Sequence, residues 1–167
     1  MGRIGGLLGF MGCVALLAAP AAARDALGIF GSWGAFRDVK PLRCYAIAEP
    51  AQGFRDAEWR PFAAISTWPG PRVRGQLHIR LRKARLPDAP VTLTIGERDF
   101  ALVGAGADAW APDARADAAI VAAMRSGSSM SIATRAARNG RAFADSYRLR
   151  GAATAIDAAA LACARLR

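Results

Sequence analysis

The clearest pattern in this chain is an alternation of apolar and polar residues from Val73 to Lys83. The apolar side of the extended backbone carries Val73, Leu77, Ile79 and Leu81, and the residues between them are mostly polar or basic. This pattern predicts a β-strand that is buried on one side only. Shorter alternating or apolar runs predict further strands at 29–36, 42–48, 62–68, 91–95, 100–103, 129–134 and 142–149.

The spacing of apolar residues changes to a helical period at two places. Asp113 can cap the first helical segment, near 113–125, and Gly127 ends it. The second segment lies near 152–164, and its apolar stripe consists of Ala155, Ile156, Ala159, Ala160 and Cys163. Many short strands with only two brief helices predict a mainly β protein. We expect an antiparallel β-sandwich with the helices packed at its edge or end.

The start of the chain has the pattern of a cleaved signal peptide, residues 1–23. Arg3 provides a positive charge, residues 4–17 are apolar but too few to span a bilayer, and residues 21–23 are small. Cleavage there would leave residues 24–167 as a single domain, either periplasmic or secreted. Two alternatives are a lipoprotein signal acylated at Cys13 and an uncleaved anchor. The mature chain has no long apolar run, so we expect no transmembrane helix in it.

Removing the signal peptide would leave two of the three cysteines, Cys44 and Cys163. Free thiols are uncommon in a small domain of an oxidising compartment, so we predict a disulfide between them. The bond would close a long loop and stabilise the fold by on the order of 4 kcal/mol. The alternative is a pair of buried, unbonded cysteines. Zinc fits poorly, because tetrahedral sites need three or four ligands and His78 is the only histidine.

The charge of the mature chain indicates an anionic partner. Residues 24–167 carry 22 basic and 13 acidic side chains, a formal charge of +9. Such a surface attracts anionic polysaccharide or lipid. Nearly all of the positive charge is arginine, which is also the codon choice of a GC-rich genome. Because codon choice can explain the arginines, the charge alone is weak evidence of function. It remains a physical property that attracts anionic partners.

The predicted strand at 73–83 provides the best candidate for a binding surface. Its polar side carries Arg74, His78, Arg80 and Arg82, which we call the basic row. The guanidinium fork suits phosphate, sulfate and carboxylate groups, so the basic row is a candidate anionic-ligand site. The alternative is a solvated strand face whose charges discourage edge pairing. We expect no nucleic-acid partner, because aromatic residues do not alternate with these arginines.

An enzyme would need His78 as its base. Candidate nucleophiles and orienting acids are Ser66, Ser126, Ser128, Asp99 and Asp145. The sequence shows no nucleophile-elbow glycine pattern, no cluster of metal ligands and no phosphate-binding loop. We therefore expect no catalytic residues, no metal and no cofactor.

Two further groups have both a ligand-binding and a structural explanation. Asp113 and Asp117 form an acidic pair on the first predicted helix, and helix capping accounts for at least Asp113. The tryptophans could form a ligand platform or belong to the core of a sandwich. They are Trp33, Trp59, Trp68 and Trp110.

Four segments of the mature chain follow one another in a characteristic order. They are FGSW (30–33), RCY (43–45), IVAAMRSG (120–127) and SYRLRG (146–151), followed by Cys163. Their order and spacing resemble those of invasion-associated locus B proteins, which are secreted or periplasmic proteins of alphaproteobacteria. The chain resembles a divergent member, because Phe36-Arg37 and Ala152 stand where the family has a cysteine and a bulky residue. The resemblance implies an immunoglobulin-like β-sandwich with no assigned catalytic residues.

These observations together predict a non-catalytic protein of the cell envelope or exterior. We expect it to bind a host or envelope component, with an anionic polysaccharide or lipid as the candidate partner. The resemblance implies a link to host-cell invasion in a pathogen. One alternative is a periplasmic inhibitor or chaperone-like module that docks another protein through a strand edge. The other is a hydrolase that uses His78.

Overall fold

The computed structural model describes residues 24–52 and 56–164. The predicted signal peptide, residues 1–23, lies outside the described residues, so its cleavage stays a prediction. The elements, in chain order, are β1 (Arg24–Phe30), β2 (Trp33–Val39), β3 (Leu42–Ala48), β4 (Phe62–Trp68), β5 (Val73–Arg80), β6 (Val91–Ile95), β7 (Arg98–Ala105), β8 (Asp108–Trp110), α1 (Ala114–Ser126), β9 (Ser129–Arg135), β10 (Ala142–Arg148) and α2 (Ala152–Ala164).

These strands form one antiparallel sheet, in the order β1-β2-β3-β4-β5-β8-β7-β6-β9-β10. The first five strands are a meander in which each strand pairs with the next. β7 joins two limbs of the sheet, because residues 98–102 pair with β6 and residues 103–105 pair with β8. We call β1–β5 with β8 the first limb, and β6, β9 and β10 the second limb. The predicted mainly β, antiparallel fold with two helices is confirmed.

One hydrophobic cluster contains buried side chains from both limbs and both helices. Leu77 and Ile79 of β5 are fully buried in it, as are Leu93 of β6 and Ile132 of β9. Helix α1 packs on β5, and α2 packs across β1–β4. The alternation predicted for β5 is confirmed, since the residues between its buried ones are only partly buried. The two limbs therefore enclose one interior.

The predicted disulfide between Cys44 and Cys163 is present, with 5.8 Å between the two Cα atoms. Cys44 lies in the buried row of β3, and Cys163 lies on the buried side of α2. The bond therefore ties the C-terminal helix to an early strand, 119 residues away in sequence. Ala160 was expected on the buried stripe but is exposed. The covered side of α2 faces mainly β1–β4 and does not include Ala160, so the buried stripe is narrower than predicted.

Two of the segments that carry the family resemblance meet where the limbs close. The indole Nε1 of Trp33 donates a hydrogen bond to the backbone oxygen of Arg148 at 2.9 Å. Gly151 has a φ of +90°, and a Cβ there would overlap the backbone oxygen of Phe30, so only glycine fits. These contacts join the start of β2 to the end of β10. The two segments therefore have a structural role that needs no ligand.

The prediction of one continuous strand at 29–36 is wrong. A turn at Gly31 and Ser32 divides it between β1 and β2. The run of apolar and small residues hides this turn, although Gly31, at a φ of +58°, marks it. Strand β8 is not predicted from the sequence, because three residues are too few for an alternation to show.

The loop between β9 and β10 is longer than the signal at Asn139-Gly140 indicates. A two-residue turn would pair the residues on either side of it. The last pair of the ladder is instead Arg135 with Ala142. Gly140 still takes a left-handed φ of +65°, but near the end of the loop. Residues 137–141 therefore extend beyond the sheet.

Candidate anionic-ligand site

The basic row begins on β5 and ends just beyond it. Arg74 is exposed, His78 and Arg80 are partly buried, and Arg82 lies two residues after the strand. β8 pairs with β5, and the second limb approaches the end of β5 through β10. Each of these neighbouring strands brings a carboxylate to the basic row.

His78 and Arg80 share one carboxylate oxygen. His78 Nε2 and Arg80 Nε each lie 2.7 Å from Oδ1 of Asp108. Asp108 reaches both groups because it pairs with Arg80 in the ladder between β8 and β5. The His78 ring also stacks on Trp110 at 5.2 Å between centroids and meets the Phe62 ring edge-on at 5.1 Å. The carboxylate of Asp108 therefore already binds both side chains within the sheet.

Arg82 is bound to a buried carboxylate. Its Nε lies 3.2 Å from Oδ1 of Asp145, and its backbone N donates to Oδ2 at 3.1 Å. The Asp145 side chain is only 2% exposed. Burial raises the pKa of Asp145 above its ordinary value, and the hydrogen bond and charge of Arg82 do not fully offset this effect. Within the described chain, Arg74 is the one member of the basic row without an ion pair.

A second group of cations lies in and beside the loop between β9 and β10. Arg135, Arg138 and Arg141 are exposed, and we call them the arginine hairpin. None of them lies within ion-pair distance of a carboxylate in residues 24–52 and 56–164. Nη1 of Arg135 donates to the backbone oxygen of Gly140 at 3.0 Å, which links the two ends of the loop.

The arginine hairpin is visible in the sequence as RAARNGR (135–141), but strand periodicity does not indicate its importance. Alternation shows which side chains leave the core. It does not show which of them will meet a carboxylate on a neighbouring strand. Arg138 and Arg141 lie in the loop between β9 and β10, where no described residue brings a carboxylate within ion-pair distance of them.

A polar cavity of about 480 Å³ borders the arginine hairpin, and its lining residues include Asp56, Glu58, Lys83, Arg138 and Asn139. Lys83 Nζ binds Asp56 at 2.6 Å, and this hydrogen bond is the main reason that the pKa of Asp56 is lowered. Glu58 makes a long hydrogen bond of 3.5 Å to a backbone N and forms no ion pair with the described residues. An anion bound beside Arg138 would therefore meet one carboxylate that no residue of the described ranges compensates.

The predicted catalytic partners of His78 make other contacts. The Ser126 hydroxyl donates to a backbone oxygen of its own helix, and Asp99 accepts from Thr94. Asp145 is bound to Arg82, as described above. Ser66 lies buried in β4, and Ser128 accepts a strand-end hydrogen bond through its backbone oxygen. None of the five hydrogen-bonds to His78 in the described chain, so the structure does not assemble the triad.

The acidic pair on α1 has two structural explanations. The Asp113 side chain accepts a hydrogen bond from the backbone N of Ala116 at 2.7 Å, which confirms the predicted helix cap. Asp117 is buried and accepts from the backbone N of Leu77 at 2.8 Å, so it binds α1 to β5. Burial raises the pKa of Asp117, and this hydrogen bond opposes the rise. Asp113 and Asp117 therefore stabilise helix α1 and its packing on β5.

The tryptophans lie in different environments. Trp33 is fully buried, whereas Trp59 is 42% exposed. Trp110 stacks on His78, and the guanidinium of Arg43 lies over the Trp68 ring at 5.0 Å. No two tryptophan rings pair with each other among the described aromatic contacts. The structure does not bring them together as one platform.

Comparison with family models, curated proteins and solved structures found no match for this chain. The resemblance to invasion-associated locus B proteins therefore stays a prediction from the sequence. Within residues 24–52 and 56–164, no three histidine, cysteine or acidic side chains are grouped so as to hold a metal ion. Neither of the two helices in this part of the chain has the length and apolar character needed to cross a membrane.

Proposed function

We propose that this chain is an exported protein of the cell envelope or exterior that acts by binding an anionic polysaccharide or lipid. The disulfide supports the compartment, because such bonds form and persist in oxidising environments outside the cytoplasm. The predicted signal peptide and the resemblance to invasion-associated locus B proteins agree with this location. No step of the proposal requires catalysis.

The arginine hairpin is the main observation that supports an anionic partner. Its three exposed guanidinium groups have no carboxylate partner in the described chain, so their charge remains available to a ligand, as do their donors other than Nη1 of Arg135. Guanidinium groups bind sulfate, phosphate and carboxylate with two parallel hydrogen bonds. In the basic row, Asp108 and Asp145 already form ion pairs with His78, Arg80 and Arg82. We therefore assign the main contact to the arginine hairpin and a secondary one to Arg74.

Retention of the oxidised protein on heparin and lipopolysaccharide columns tests this assignment. One variant replaces the three arginines of the arginine hairpin with glutamine. The matched control removes the same charge from three other exposed arginines, Arg98, Arg115 and Arg148. We expect the hairpin variant to elute at lower salt and to bind roughly tenfold more weakly, because each lost charge-assisted hydrogen bond reduces affinity. The control should keep most of its affinity.

Other results of the retention experiment would change or exclude the assignment. Equal weakening of the two variants would show that net charge, and not the arginine hairpin, causes retention. Unchanged retention of the hairpin variant, with loss in Arg74→Gln/Arg80→Gln, would assign binding to the basic row. An unmodified protein that passes through both columns at physiological ionic strength would exclude these anionic partners.

The compartment is tested separately, on protein taken from native cells. Mass spectrometry should find a mature chain that begins at Arg24, with Cys44 and Cys163 joined. Unprocessed chain with both thiols reduced, recovered from the cytoplasm, would contradict export. This result does not depend on the ligand, so the two parts of the proposal can fail independently.

A further inference from the structure

A groove lies between helix α2 and the segment that joins β4 to β5. Its volume is about 860 Å³, which is within the usual range of small-molecule sites. We propose that this groove binds one amphiphile, an acyl chain with an anionic head group. The site is distinct from the arginine hairpin and is lined by none of its residues.

Most of the groove surface is apolar. Its lining includes Ile65, Val73, Ile156 and Leu161, and Cys163 of the disulfide lies among them. Leu161 is 57% exposed, which makes it one of the most exposed large apolar side chains of the described residues. Contact with an acyl chain would remove this apolar surface from water, and that is the main driving force for burying hydrocarbon.

The charges beside the groove favour an anionic head group. Its charged lining residues are Arg72, Arg74 and Asp157. Arg125, which does not line the groove, binds Asp157 through two hydrogen bonds of 2.5 and 3.1 Å. Arg72 and Arg74 are exposed and have no ion pair with the described part of the chain. The groove therefore combines an apolar surface with two uncompensated positive charges.

The backbone at Arg72 adds a second indication. Its φ is +59°, in the left-handed region that costs free energy for any residue with a side chain of this kind. Glycine or asparagine would fit the same turn with less strain. Placing a long cationic side chain at this position is explained if its charge contacts a ligand. Dodecyl phosphate has the chemistry that both features require, because its chain fits the apolar lining and its phosphate suits two guanidinium groups.

Isothermal titration calorimetry with dodecyl phosphate, below its micelle concentration, tests the proposal on the oxidised protein. Dodecyl maltoside supplies the same chain with an uncharged head, and inorganic phosphate supplies the charge without the chain. We expect dodecyl phosphate to bind one to one, dodecyl maltoside to bind at least tenfold more weakly, and phosphate alone to give no measurable binding. Equal affinity for the two amphiphiles would overturn the role of Arg72 and Arg74.

Two variants test the groove itself. Leu161→Glu places a negative charge on the apolar wall, and Arg72→Asn/Arg74→Gln removes both positive charges while relieving the strained φ. Each should weaken dodecyl phosphate binding by about tenfold or more. Arg115→Gln, an exposed arginine on α1, is the matched control and should bind as the unmodified protein does. Thermal unfolding by circular dichroism confirms that each variant is folded.

Three results would overturn the proposal. The first is unchanged affinity in both groove variants. The second is the absence of dodecyl phosphate binding to the folded, unmodified protein. The third is a dimer of the unmodified protein that Leu161→Glu dissociates and dodecyl phosphate does not, since the groove would then hold a second copy of the chain. The hairpin variant should bind dodecyl phosphate normally, which keeps this test independent of the proposed function.

Discussion

The basic row and the arginine hairpin have similar composition but different surroundings. The basic row lies within the sheet, where β8 supplies Asp108 on one side and β10 supplies Asp145 near its end. The arginine hairpin lies where two strands end, and no described carboxylate comes within ion-pair distance of it. Carboxylates of two other strands therefore compensate His78, Arg80 and Arg82, whereas the arginine hairpin stays available to ligands.

Because of this difference, substitutions in the two groups of cations should affect different properties, namely stability in the basic row and ligand binding in the arginine hairpin. At His78, Arg80 or Arg82 of the basic row, a substitution changes an ion pair inside the protein and therefore the free energy of unfolding. In the arginine hairpin, Arg138 and Arg141 are exposed and form no ion pair with the described residues, and substitutions at exposed sites usually alter stability by less than about 0.5 kcal/mol. Measuring stability and ligand retention on the same variants would show whether the two surfaces are as distinct as their contacts indicate.

The largest effect is expected from Arg82→Met. Asp145 would remain buried without its partner, and removing one member of a buried pair typically costs about 3 kcal/mol or more. Urea unfolding at neutral pH should show this loss. Arg138→Met, the matched change in the arginine hairpin, should leave the unfolding midpoint nearly unchanged.

A second variant distinguishes the cost of an unpaired charge from the cost of lost packing. In Arg82→Met/Asp145→Leu both charges are replaced by apolar side chains, so most of the lost stability should return. If the double variant is as unstable as Arg82→Met, the Arg82 side chain stabilises the fold by packing. A loss below about 1 kcal/mol in Arg82→Met would show that the pair is well solvated, as exposed pairs are.

A smaller effect is expected from Asp108→Asn. This change removes the carboxylate that His78 and Arg80 share, at a cost of about 1 kcal/mol because the group is partly exposed. The freed Arg80 should increase retention on heparin, and Glu97→Gln, which removes an exposed carboxylate elsewhere, is the control for net charge. Equal gains in the two variants would mean that the basic row binds no better when its partner is removed.

Sequence reasoning predicted the parts of the fold that depend on local periodicity. The bounds predicted for β3 and β4, 42–48 and 62–68, are those of the structure, and the buried side of β5 is the predicted one. The disulfide also followed from the sequence, because a compartment argument and a count of two cysteines left one pairing. Each of these inferences needs only neighbouring residues or composition.

The properties of the candidate site depend on contacts between distant residues. Arg80 and Asp108 are 28 positions apart, and the backbone of Arg82 meets Asp145 across 63 positions. The first contact depends on the pairing of β8 with β5, and the second on the approach of β10 from the other limb. Alternation along one strand contains neither. The three-residue β8 shows the problem most clearly, since a strand too short to predict supplies the carboxylate that compensates the candidate site.

The pH dependence of stability provides a smaller and more specific test. Burial raises the pKa of Asp145 above the ordinary value of 3.8, so the unfolded chain loses this proton at a lower pH than the folded protein does. The contribution of this group to stability is therefore complete below the ordinary pKa and is lost as pH rises through the folded pKa. In Asp145→Asn the group does not titrate. The stability of the unmodified protein relative to Asp145→Asn should fall as pH rises above about 4.

Urea unfolding of both proteins at several pH values measures this difference. Asp38 provides a contrast, because burial would raise its pKa but hydrogen bonds from Arg43 and Arg24 outweigh burial and lower it. Its contribution is present above the ordinary pKa and is lost as pH falls through the folded one, so Asp38→Asn should change the pH dependence in the opposite direction. The same slope in both variants would contradict the opposite pKa shifts of Asp145 and Asp38.

The smallest effect is expected from Glu58→Gln, which tests the hairpin side of the comparison. Glu58 lines the polar cavity beside Arg138 and forms no ion pair with the described residues, so its charge opposes an anion bound there. Removing the charge should increase heparin affinity by about twofold, an ordinary effect for one exposed charge. Glu97→Gln alters net charge equally at a different site. Because both variants gain the same charge, only a larger increase in Glu58→Gln would indicate that the ligand lies beside Arg138.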